Sequence, residues 1–447
     1  MFKERIGTVV RSRAIDEFDF IVKEDMAKKV FNNSYVILKH PNNEEWFVLA
    51  RIVKLREVAS IKIENIAAAL NISTAPFTTV LLGKCNILGC YNKNGKPVPL
   101  PRPVKLGQEV WSPSLSIMQK FFVKPHPAFL LGYLSGLPDV PVHLSYETLC
   151  KVPILITGMT GSGKTTTAAS LVYNINKSSS EVMCIVYDLN REYAHKLRNA
   201  TKIAQITPGK DFSMEMNLEL INTFAELEFL TETQISLLME IFQKYGGKSL
   251  AYLRELDFRE LGFRSTTAVS LIRRIERLIS NGLLSEKKQN FPWDASCLIV
   301  DLSCTPIEYQ KMMVDYITKL AISRVNDREI SKLFIVIEEA HRFIPERQLA
   351  SPMLKQILFE GPRSRTNICL VTSKLSYCNN FLLSASGFQI IHRITNVWDL
   401  DTLFKVSEFI DNSYTRKIQH LSTGEAIICG ADIPFPTFVR IRPPNRG

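Results

Sequence analysis

The first quarter of the chain carries short apolar stretches that are separated by frequent polar turns. Five of these stretches have the length and the β-branched or aromatic content of strands. They are residues 7–10, 18–22, 34–38, 46–53 and 78–82. A section rich in Pro, Gly and Asn follows at residues 92–97. Many short strands with regular turns predict a small N-terminal β-barrel, which we place at residues 1–112.

From about residue 150 the pattern changes, and short apolar runs alternate with helical stretches. The runs are residues 154–156, 184–186, 298–300, 333–337, 368–371 and 389–391. Strands that are apolar on both faces and separated by helices are typical of a parallel sheet covered on both sides. The predicted fold class is therefore α/β for residues 113–447, in addition to the N-terminal barrel.

Two segments depart from this alternation. Residues 215–290 have helical patterns, for instance at 232–239 and 268–279, and we interpret them as a helical subdomain inserted into the α/β core. The tail, residues 421–447, contains two strand-like stretches at 424–429 and 437–441. We predict that these two stretches form a closing pair of strands.

Residues 158–165 read Gly-Met-Thr-Gly-Ser-Gly-Lys-Thr and fit the phosphate-loop pattern G-x-x-x-x-G-K-[ST]. An apolar strand precedes the motif and a helix-forming run follows it, which is the context that such a loop requires. The glycines let backbone N–H groups wrap phosphates, Lys164 reaches the β- and γ-phosphates, and the Thr165 hydroxyl ligates Mg²⁺. We therefore predict a P-loop nucleotide triphosphatase with a RecA-like core. The predicted nucleotide contacts are Gly158, Thr160, Gly161, Ser162, Gly163, Lys164, Thr165 and Thr166.

An acidic pair, Glu338 and Glu339, ends the buried-strand run at residues 333–337. A carboxylate at the end of a strand near a phosphate loop holds Mg²⁺, partly through water, and a second carboxylate orients the attacking water. We assign Glu338 to the metal and Glu339 to the catalytic base. The alternative is a pair of acids that only favours a helix N-terminus.

Polar residues also end two other runs. Asp188 follows the run 182–187, where it could be a helix cap, a second-layer group or part of the nucleotide site. Ser373 follows the run 368–371 and Thr372, where a sensor of the γ-phosphate could lie. Ordinary polar residues at a strand end are an equally good interpretation of Ser373.

Oligomeric P-loop enzymes complete the site with an arginine from the adjacent subunit. Arg363 and Arg365 lie between the acidic pair and the next strand, and they are the candidates for this catalytic role. Arg393, in the strand-like stretch 390–395, is a further candidate because a charge there needs a partner. Surface arginines are common, so each also has a plain structural interpretation.

Composition and charge bear on the partner of the protein, on metal sites and on its location in the cell. The formal net charge of +11 favours a polyanionic partner such as nucleic acid, although a basic cytosolic protein without such a partner is the simpler interpretation. No apolar stretch of membrane-spanning length occurs, and the first residues lack the pattern of a signal peptide. The nine scattered cysteines lack zinc-site spacing, so we expect reduced thiols, no structural metal, no membrane and a cytoplasmic location.

Together these segments resemble the HerA family of hexameric DNA-translocating ATPases, in the larger HerA–FtsK group. Residues 6–10 and 103–110 are similar to the ends of its N-terminal barrel, and 158–165 match its phosphate loop. Residues 188–193 are similar to its D-x-x-G-E-Y segment, except that Arg191 replaces Gly. The Ala-His continuation of the acidic pair at 340–341 matches as well. Residues 393–396 with Asp399, and then 421–426, are similar to its C-terminal segment.

Two departures from the family pattern concern the site. The family's E-G-R-K-x-G segment is Glu-Gly-Pro-Arg-Ser-Arg at residues 360–365, which leaves the choice between Arg363 and Arg365 open. The family's Ser-Gln pair is Thr372-Ser373, which leaves the γ-phosphate sensor open. A divergent paralogue with altered coupling is consistent with both.

The resemblance implies a homo-hexameric ring that hydrolyses ATP with Mg²⁺ and moves along double-stranded DNA. It also implies a NurA-type nuclease as partner, docked on the barrel, in DNA end resection and recombinational repair in archaea. Arg342, Arg347 and Lys374 are weak candidates for DNA contacts in the pore. Two alternatives remain at this point: an ATP-dependent motor that remodels proteins, and a nucleotide-binding scaffold that recruits a nuclease.

Overall fold

Strands form at the apolar segments that the sequence indicates, and they group into two units. The computed structural model describes residues 2–12, 14–59, 79–178, 181–245, 264–285, 291–360 and 365–444. The first unit consists of Met1–His143 with Ile433–Arg440, and the second of Leu144–Asp432 with Ile441–Gly447. No helix in the described ranges has the length and the apolar character needed to cross a membrane.

The first unit contains the barrel. Its sheet has the order β2-β1-β7-β3-β4-β5-β6, and pairing of β2 with β5 closes six strands into a ring. Register shifts at Leu49/Ala50 and Ile52/Lys54 bend the long strand β4, which helps the sheet to close. The bounds are β1 (Phe2–Ser12), β2 (Glu17–Val22), β3 (Tyr35–His40), β4 (Asn43–Ala59), β5 (Thr79–Asn92), β6 (Pro97–Val98) and β7 (Glu109–Pro113).

Inside the barrel, apolar side chains from every long strand form one core. Phe20 is fully buried in this core and packs so closely on two glycines that neither could carry a side chain. A Cβ at Gly7 would lie 2.1 Å from the Ile21 carbonyl oxygen, and one at Gly83 would lie 2.3 Å from the Phe20 ring. These contacts explain why glycine interrupts two otherwise strand-forming sequences.

The remainder of the first unit is a helix and three neighbouring strands, in the order β20-β8-β9. Their bounds are α1 (Leu115–Phe122), β8 (Ala128–Leu134), β9 (Leu137–Ser145) and β20 (Ile433–Ile441). Arg51 of β4 is 1% exposed, donates to the Pro436 carbonyl at 3.1 Å and lies 4.7 Å from the centre of the Phe438 ring. A buried arginine thus ties the C-terminal strand to the barrel within this unit.

The second unit is built on eight neighbouring strands in the order β12-β15-β11-β16-β17-β10-β18-β19. Neighbouring strands of this group pair in parallel, apart from the antiparallel pair β18–β19. The bounds are β10 (Ile154–Thr157), β11 (Val182–Asp188), β12 (Ile203–Ile206), β15 (Cys297–Asp301), β16 (Lys332–Ile337), β17 (Thr366–Thr372), β18 (Phe388–Ile391) and β19 (Glu425–Gly430). The α/β prediction is confirmed.

Helices connect these strands and cover their apolar side chains. They are α2 (Tyr146–Lys151), α3 (Lys164–Ser178), α4 (Tyr193–Lys196), α8 (Ile307–Asn326), α9 (Pro352–Glu360), α10 (Asn380–Ser384), α11 (Val397–Val406) and α12 (Thr415–Gln419). The inserted segment adds α5 (Leu218–Glu226), α6 (Glu232–Tyr245), α7 (Ser265–Ser280) and the short parallel pair β13 (Met214–Glu215) and β14 (Leu284–Ser285). The predicted helical insertion is therefore present.

Parallel strands place the segments that carry the motifs at one edge of the sheet. The phosphate loop follows β10, Glu338 follows β16, and Asp188 ends β11. Ligands in open α/β sheets bind outside the carboxyl ends of the strands. This edge is consequently the location of the candidate site.

Candidate nucleotide site

The phosphate loop is shaped by three glycines with backbone angles that other residues rarely adopt. Gly158, Gly161 and Gly163 have φ angles of 151°, 78° and 115°. A Cβ at Gly158 would lie 2.6 Å from the Cβ of His392, whereas a Cβ at Gly161 would meet nothing within 4 Å. Gly158 is therefore required by both conformation and space, and Gly161 by conformation alone.

Backbone hydrogen bonds from later segments hold the loop. The Met159 N–H donates to the Arg393 carbonyl at 2.7 Å, and the Gly424 N–H donates to the Ser162 carbonyl at 3.0 Å. Lys164 is buried, and its Nζ donates to the Met159 carbonyl at 3.1 Å. Burial lowers the pKa of Lys164, while Glu339, Glu338 and Glu192 oppose that decrease. The loop thus has a fixed backbone around a cation that faces three carboxylates.

His392 lies directly beneath the loop and is fully buried. Its Nδ1 contacts the Glu425 carbonyl at 2.8 Å, and its Nε2 contacts the Thr167 hydroxyl at 2.9 Å. Because a carbonyl only accepts, Nδ1 carries the proton and Nε2 accepts from Thr167. Burial lowers the pKa of His392 to about 4, so the ring is neutral. Sequence reasoning missed this residue, because its partners are 225 and 33 positions away in the chain.

Glu338 is buried at the end of β16, with only 3% of its surface exposed. Its Oε1 accepts a hydrogen bond from the Tyr193 hydroxyl at 2.7 Å. Burial raises the pKa of Glu338 to about 7, while hydrogen bonds from Tyr193 and Thr165 oppose the rise. The Thr165 hydroxyl and the Glu338 carboxylate are therefore adjacent. Hard oxygen donors of this kind fit Mg²⁺, and a divalent cation would offset the cost of burying the charge.

Glu339 has left-handed backbone angles, with φ 48° and ψ 48°. A residue other than glycine pays about 1–3 kcal/mol for such a conformation, and strain of this kind collects at functional sites. The carboxylate accepts a hydrogen bond from the Ser373 hydroxyl at 3.0 Å, and Nδ1 of His341 lies 3.3 Å from the same oxygen. Burial lowers the pKa of His341. The strained turn and two polar partners thus fix the Glu339 carboxylate beyond the end of β16.

Asp188 caps the turn that leads into α4. Its two carboxylate oxygens accept from the backbone N–H groups of Asn190 and Tyr193, both at 2.9 Å. Burial raises the pKa of Asp188, and these hydrogen bonds oppose the rise. These two hydrogen bonds are those of a capping residue, one of the three roles that the sequence left open. Asp188 also positions Tyr193, whose contact with Glu338 sequence reasoning did not identify.

Arg191 has a φ angle of 59°, which explains why glycine suits this position of the D-x-x-G-E-Y pattern. Its Nε donates to the buried carboxylate of Asp301 at 3.0 Å, and its Nη2 lies 2.7 Å from Cys304 Sγ. The ion pair fixes a guanidinium whose side chain remains 53% exposed. This pair holds the turn in a conformation that an arginine alone disfavours.

The candidate arginines lie in different places. Arg363 is outside the described residues. Arg365 directly precedes β17, and its Nη2 donates to the Val325 carbonyl at 3.0 Å. Since β17 runs parallel to β10, Arg365 lies at the opposite edge of the sheet from the phosphate loop of its own chain. The sequence placed Arg393 within a strand, but β18 ends at Ile391 and Arg393 lies beyond it. The strand ends there because the Arg393 carbonyl accepts a hydrogen bond from Met159 of the phosphate loop.

The fold and the site together define a P-loop ATPase. The structure resembles VirB4 of Thermoanaerobacter pseudethanolicus, with a TM-score of 0.55 and 12% identity, over 72% of this chain and 98% of that one. It also resembles the bacterial conjugative coupling protein TrwBΔN70, with a TM-score of 0.51 and 13% identity, over 74% and 91% of the two chains. At this level of identity the likeness shows a shared fold.

Sequence comparisons narrow the class to one family. Residues 129–321 match the family model described as "Helicase HerA, central domain". A probable helicase of Methanocaldococcus jannaschii, MJECL08, is 24% identical over 98% of this chain and 95% of its own length. The DNA double-strand break repair helicase HerA of Pyrococcus furiosus is 23% identical over 90% of this chain and 84% of its own. These matches, over the central domain and over nearly the whole chain, support a HerA-family ATPase, as the motifs indicated.

Proposed function

We propose that this chain is a ring-forming ATPase that moves along double-stranded DNA. The observation that carries the proposal is the joint placement of Lys164, Thr165, Glu338 and Glu339 at one edge of the sheet, with hydrogen-bond partners for each acid. The relatives named as DNA double-strand break repair helicases support DNA as the substrate. The net charge of +11 also favours a polyanion.

In this proposal each residue has a separate task. Lys164 binds the β- and γ-phosphates, and the loop N–H groups of residues 158–166 surround the phosphate chain. Thr165 and Glu338 would hold Mg²⁺, which would neutralise charge on the phosphates. Glu339 accepts the proton of the attacking water, and Ser373 orients that carboxylate through its hydrogen bond. His392 and Gly424 keep the loop in shape.

The arginine that completes the site comes from a neighbouring copy. Arg365 cannot reach the phosphate loop of its own chain, because the length of β17, about 23 Å at 3.3 Å per residue, separates the two edges. Arg363 or Arg365 would therefore act on the nucleotide of the adjacent subunit. This arrangement supports a closed ring, and the family resemblance makes six copies the expected number.

The biological setting follows the family. The expected partner is a NurA-type nuclease that docks on the barrel, and the expected process is end resection in recombinational repair in the cytoplasm. Contacts to the phosphate backbone would come from basic side chains in the central pore, so DNA affinity should fall steeply with salt.

The test is the rate of ATP hydrolysis by the purified full chain, with and without linear duplex DNA. Lys164→Ala is the blank, because it removes the phosphate cation. DNA should stimulate turnover in the wild-type protein and not in the blank. Basal turnover without stimulation would favour a protein-remodelling motor, and no turnover with intact nucleotide binding would favour the scaffold.

A further inference from the structure

A second lysine lies beside the first turn of α3, the helix that follows the phosphate loop. Lys196 ends α4, the short helix that follows β11, and its Nζ lies 3.4 Å from the hydroxyl of Thr166. Thr166 is in the first turn of α3, directly after the residue assigned to Mg²⁺. Helix N-termini of this kind bind phosphate through their N–H groups and their dipole. Lys196 thus places a positive charge beside the end of a helix that already favours anions.

The position of Lys196 is fixed by the same segment that holds the acidic side of the site. Asp188 caps the turn into α4, and Tyr193 at the start of α4 donates to Glu338. Asp188, Tyr193 and Lys196 therefore lie on one short segment, residues 188–196, which also contacts the carboxylate assigned to the metal. A lysine on such a braced segment loses less freedom on binding a ligand than one on a mobile loop.

Glu192 supplies the counter-charge. Its carboxylate lies 3.4 Å from Lys196 Nζ, and the same carboxylate also acts electrostatically on Lys164. Glu192 therefore pairs with Lys196 and acts electrostatically on Lys164. Phosphate oxygens bound in the loop would compete with Glu192 for both lysines. They would bind the lysines more strongly, because a charge-assisted hydrogen bond to phosphate contributes more free energy than an exposed ion pair.

We propose that Lys196 is a phosphate-binding residue of the nucleotide site, acting on the α/β part of the phosphate chain, and that Glu192 is its counter-charge when no nucleotide is bound. This inference rests on the proposed nucleotide site. Lys164 and Thr165 serve the β- and γ-phosphates and the metal, so the next residue of the helix, Thr166, marks the α side. Lys196 reaches that side through the Thr166 hydroxyl. ATP and ADP share these phosphates, so both ligands should depend on Lys196.

A simpler account is a surface ion pair between residues four apart on one helix, which contributes little. That account does not explain why the lysine side chain is only 26% exposed and contacts Thr166 as well as Glu192. It also makes a different prediction, since loss of either partner of an isolated pair should have the same small effect.

The experiment is a titration of the full chain with fluorescently labelled ATP and with fluorescently labelled ADP, in which the fluorescence change reports binding. Lys196→Ala should weaken both ligands by between about tenfold and a hundredfold, as expected for loss of a hydrogen bond to a charged group. Lys196→Arg should recover most of the affinity. Glu192→Gln should leave affinity unchanged or raise it, because it releases the lysine. The matched control is Lys177→Ala, an exposed lysine at the other end of α3.

Equal and small effects of Lys196→Ala and Glu192→Gln would overturn the inference, and so would a Lys196→Ala effect that Lys196→Arg does not recover. Wild-type protein that binds nucleotide but shows no DNA-stimulated turnover would contradict the proposed DNA motor and leave the phosphate-binding role of Lys196 unaffected. Unchanged nucleotide affinity and DNA-stimulated turnover in Lys196→Ala would contradict only the phosphate-binding role of Lys196. A wild-type protein that binds no nucleotide would contradict both proposals.

Discussion

The phosphate loop and the acidic end of β16 face each other across the site, and they are built in opposite ways. The loop owes its shape to backbone: three glycines with positive φ angles and N–H contacts from Met159 and Gly424. The acidic end owes its shape to side chains, because Tyr193 and Ser373 hold the two carboxylates. Substitutions in the loop should therefore abolish binding, whereas those around the acids should tune chemistry.

The largest effect is expected at the closest contact of the loop. Gly158→Ala forces a Cβ to within 2.6 Å of His392 at a φ angle of 151°. We expect nucleotide affinity to fall more than about a hundredfold and the free energy of unfolding to fall by about 2–4 kcal/mol. Nucleotide titration and thermal unfolding would measure both quantities.

Gly161→Ala is the matched control for Gly158→Ala. Its φ angle is also positive, but nothing lies within 4 Å of the added Cβ. Only the conformational strain remains, which costs about 1 kcal/mol. Equal losses in the two variants would show that crowding against His392 does not define the loop.

The second effect concerns the protonation of His392. The folded protein holds its pKa at about 4, against 6.5 for an exposed imidazole, because burial disfavours the charged ring. The resulting stability, roughly 3 kcal/mol, is fully present above pH 6.5 and is lost as pH falls towards 4. Unfolding measured from pH 8 to pH 4 should show this loss.

His392→Asn removes the titrating group and keeps a polar side chain. The difference in unfolding free energy between wild type and variant should shrink as pH falls from 6.5 to 4. A difference that is constant across this range would mean that His392 does not carry the pH dependence.

A smaller effect is expected at Tyr193. Tyr193→Phe removes the hydroxyl that lowers the pKa of Glu338, so that pKa should rise further above its usual value. ATP turnover should fall roughly three- to tenfold near pH 6.5 and less at pH 8.5, where the carboxylate is ionised in both proteins. The pH profile of turnover is the measurement.

Tyr187→Phe provides the comparison for Tyr193→Phe. The Tyr187 hydroxyl bonds Thr318 on α8 and touches neither acid. This variant should lose about 1 kcal/mol of stability and leave the pH profile unchanged. A shift of the profile in both variants would point to a general loss of packing.

The smallest effect is expected at Ser373. Ser373→Ala removes one hydrogen bond from Glu339, which keeps His341 as a neighbour. Turnover should fall less than about tenfold with little change in nucleotide affinity. Ser376→Ala, which removes a hydrogen bond to Asp399 on α11, should affect stability and spare turnover. Identical turnover in Ser373→Ala and wild type would remove Ser373 from the mechanism.

The motifs of the site and the contacts that support them differ in how far the sequence predicts them. The phosphate loop and the acidic pair are each a local pattern. The glycines and the lysine of the loop lie within eight residues, and the acidic pair directly follows its strand. The alternation of apolar runs likewise predicts the parallel sheet, because strands covered on both faces must be apolar throughout. These parts of the fold follow from short-range rules.

The support of the site follows from long-range contacts that a single sequence does not display. Tyr193 meets Glu338 across 145 positions, and Thr167 meets His392 across 225. The end of β18 was also misplaced, because the turn beyond Ile391 depends on contact with the loop. The role of Asp188 was left open for the same reason, since a cap requires knowledge of which N–H groups lie nearby.

The most direct test of the division between binding and chemistry is Glu339→Gln. The amide keeps the shape of the side chain and removes the base. We expect ATP affinity within about threefold of wild type and DNA-stimulated turnover reduced at least about a hundredfold. Turnover equal to that of the wild-type protein would contradict the assignment of the catalytic base and, with it, the motor proposed for this chain.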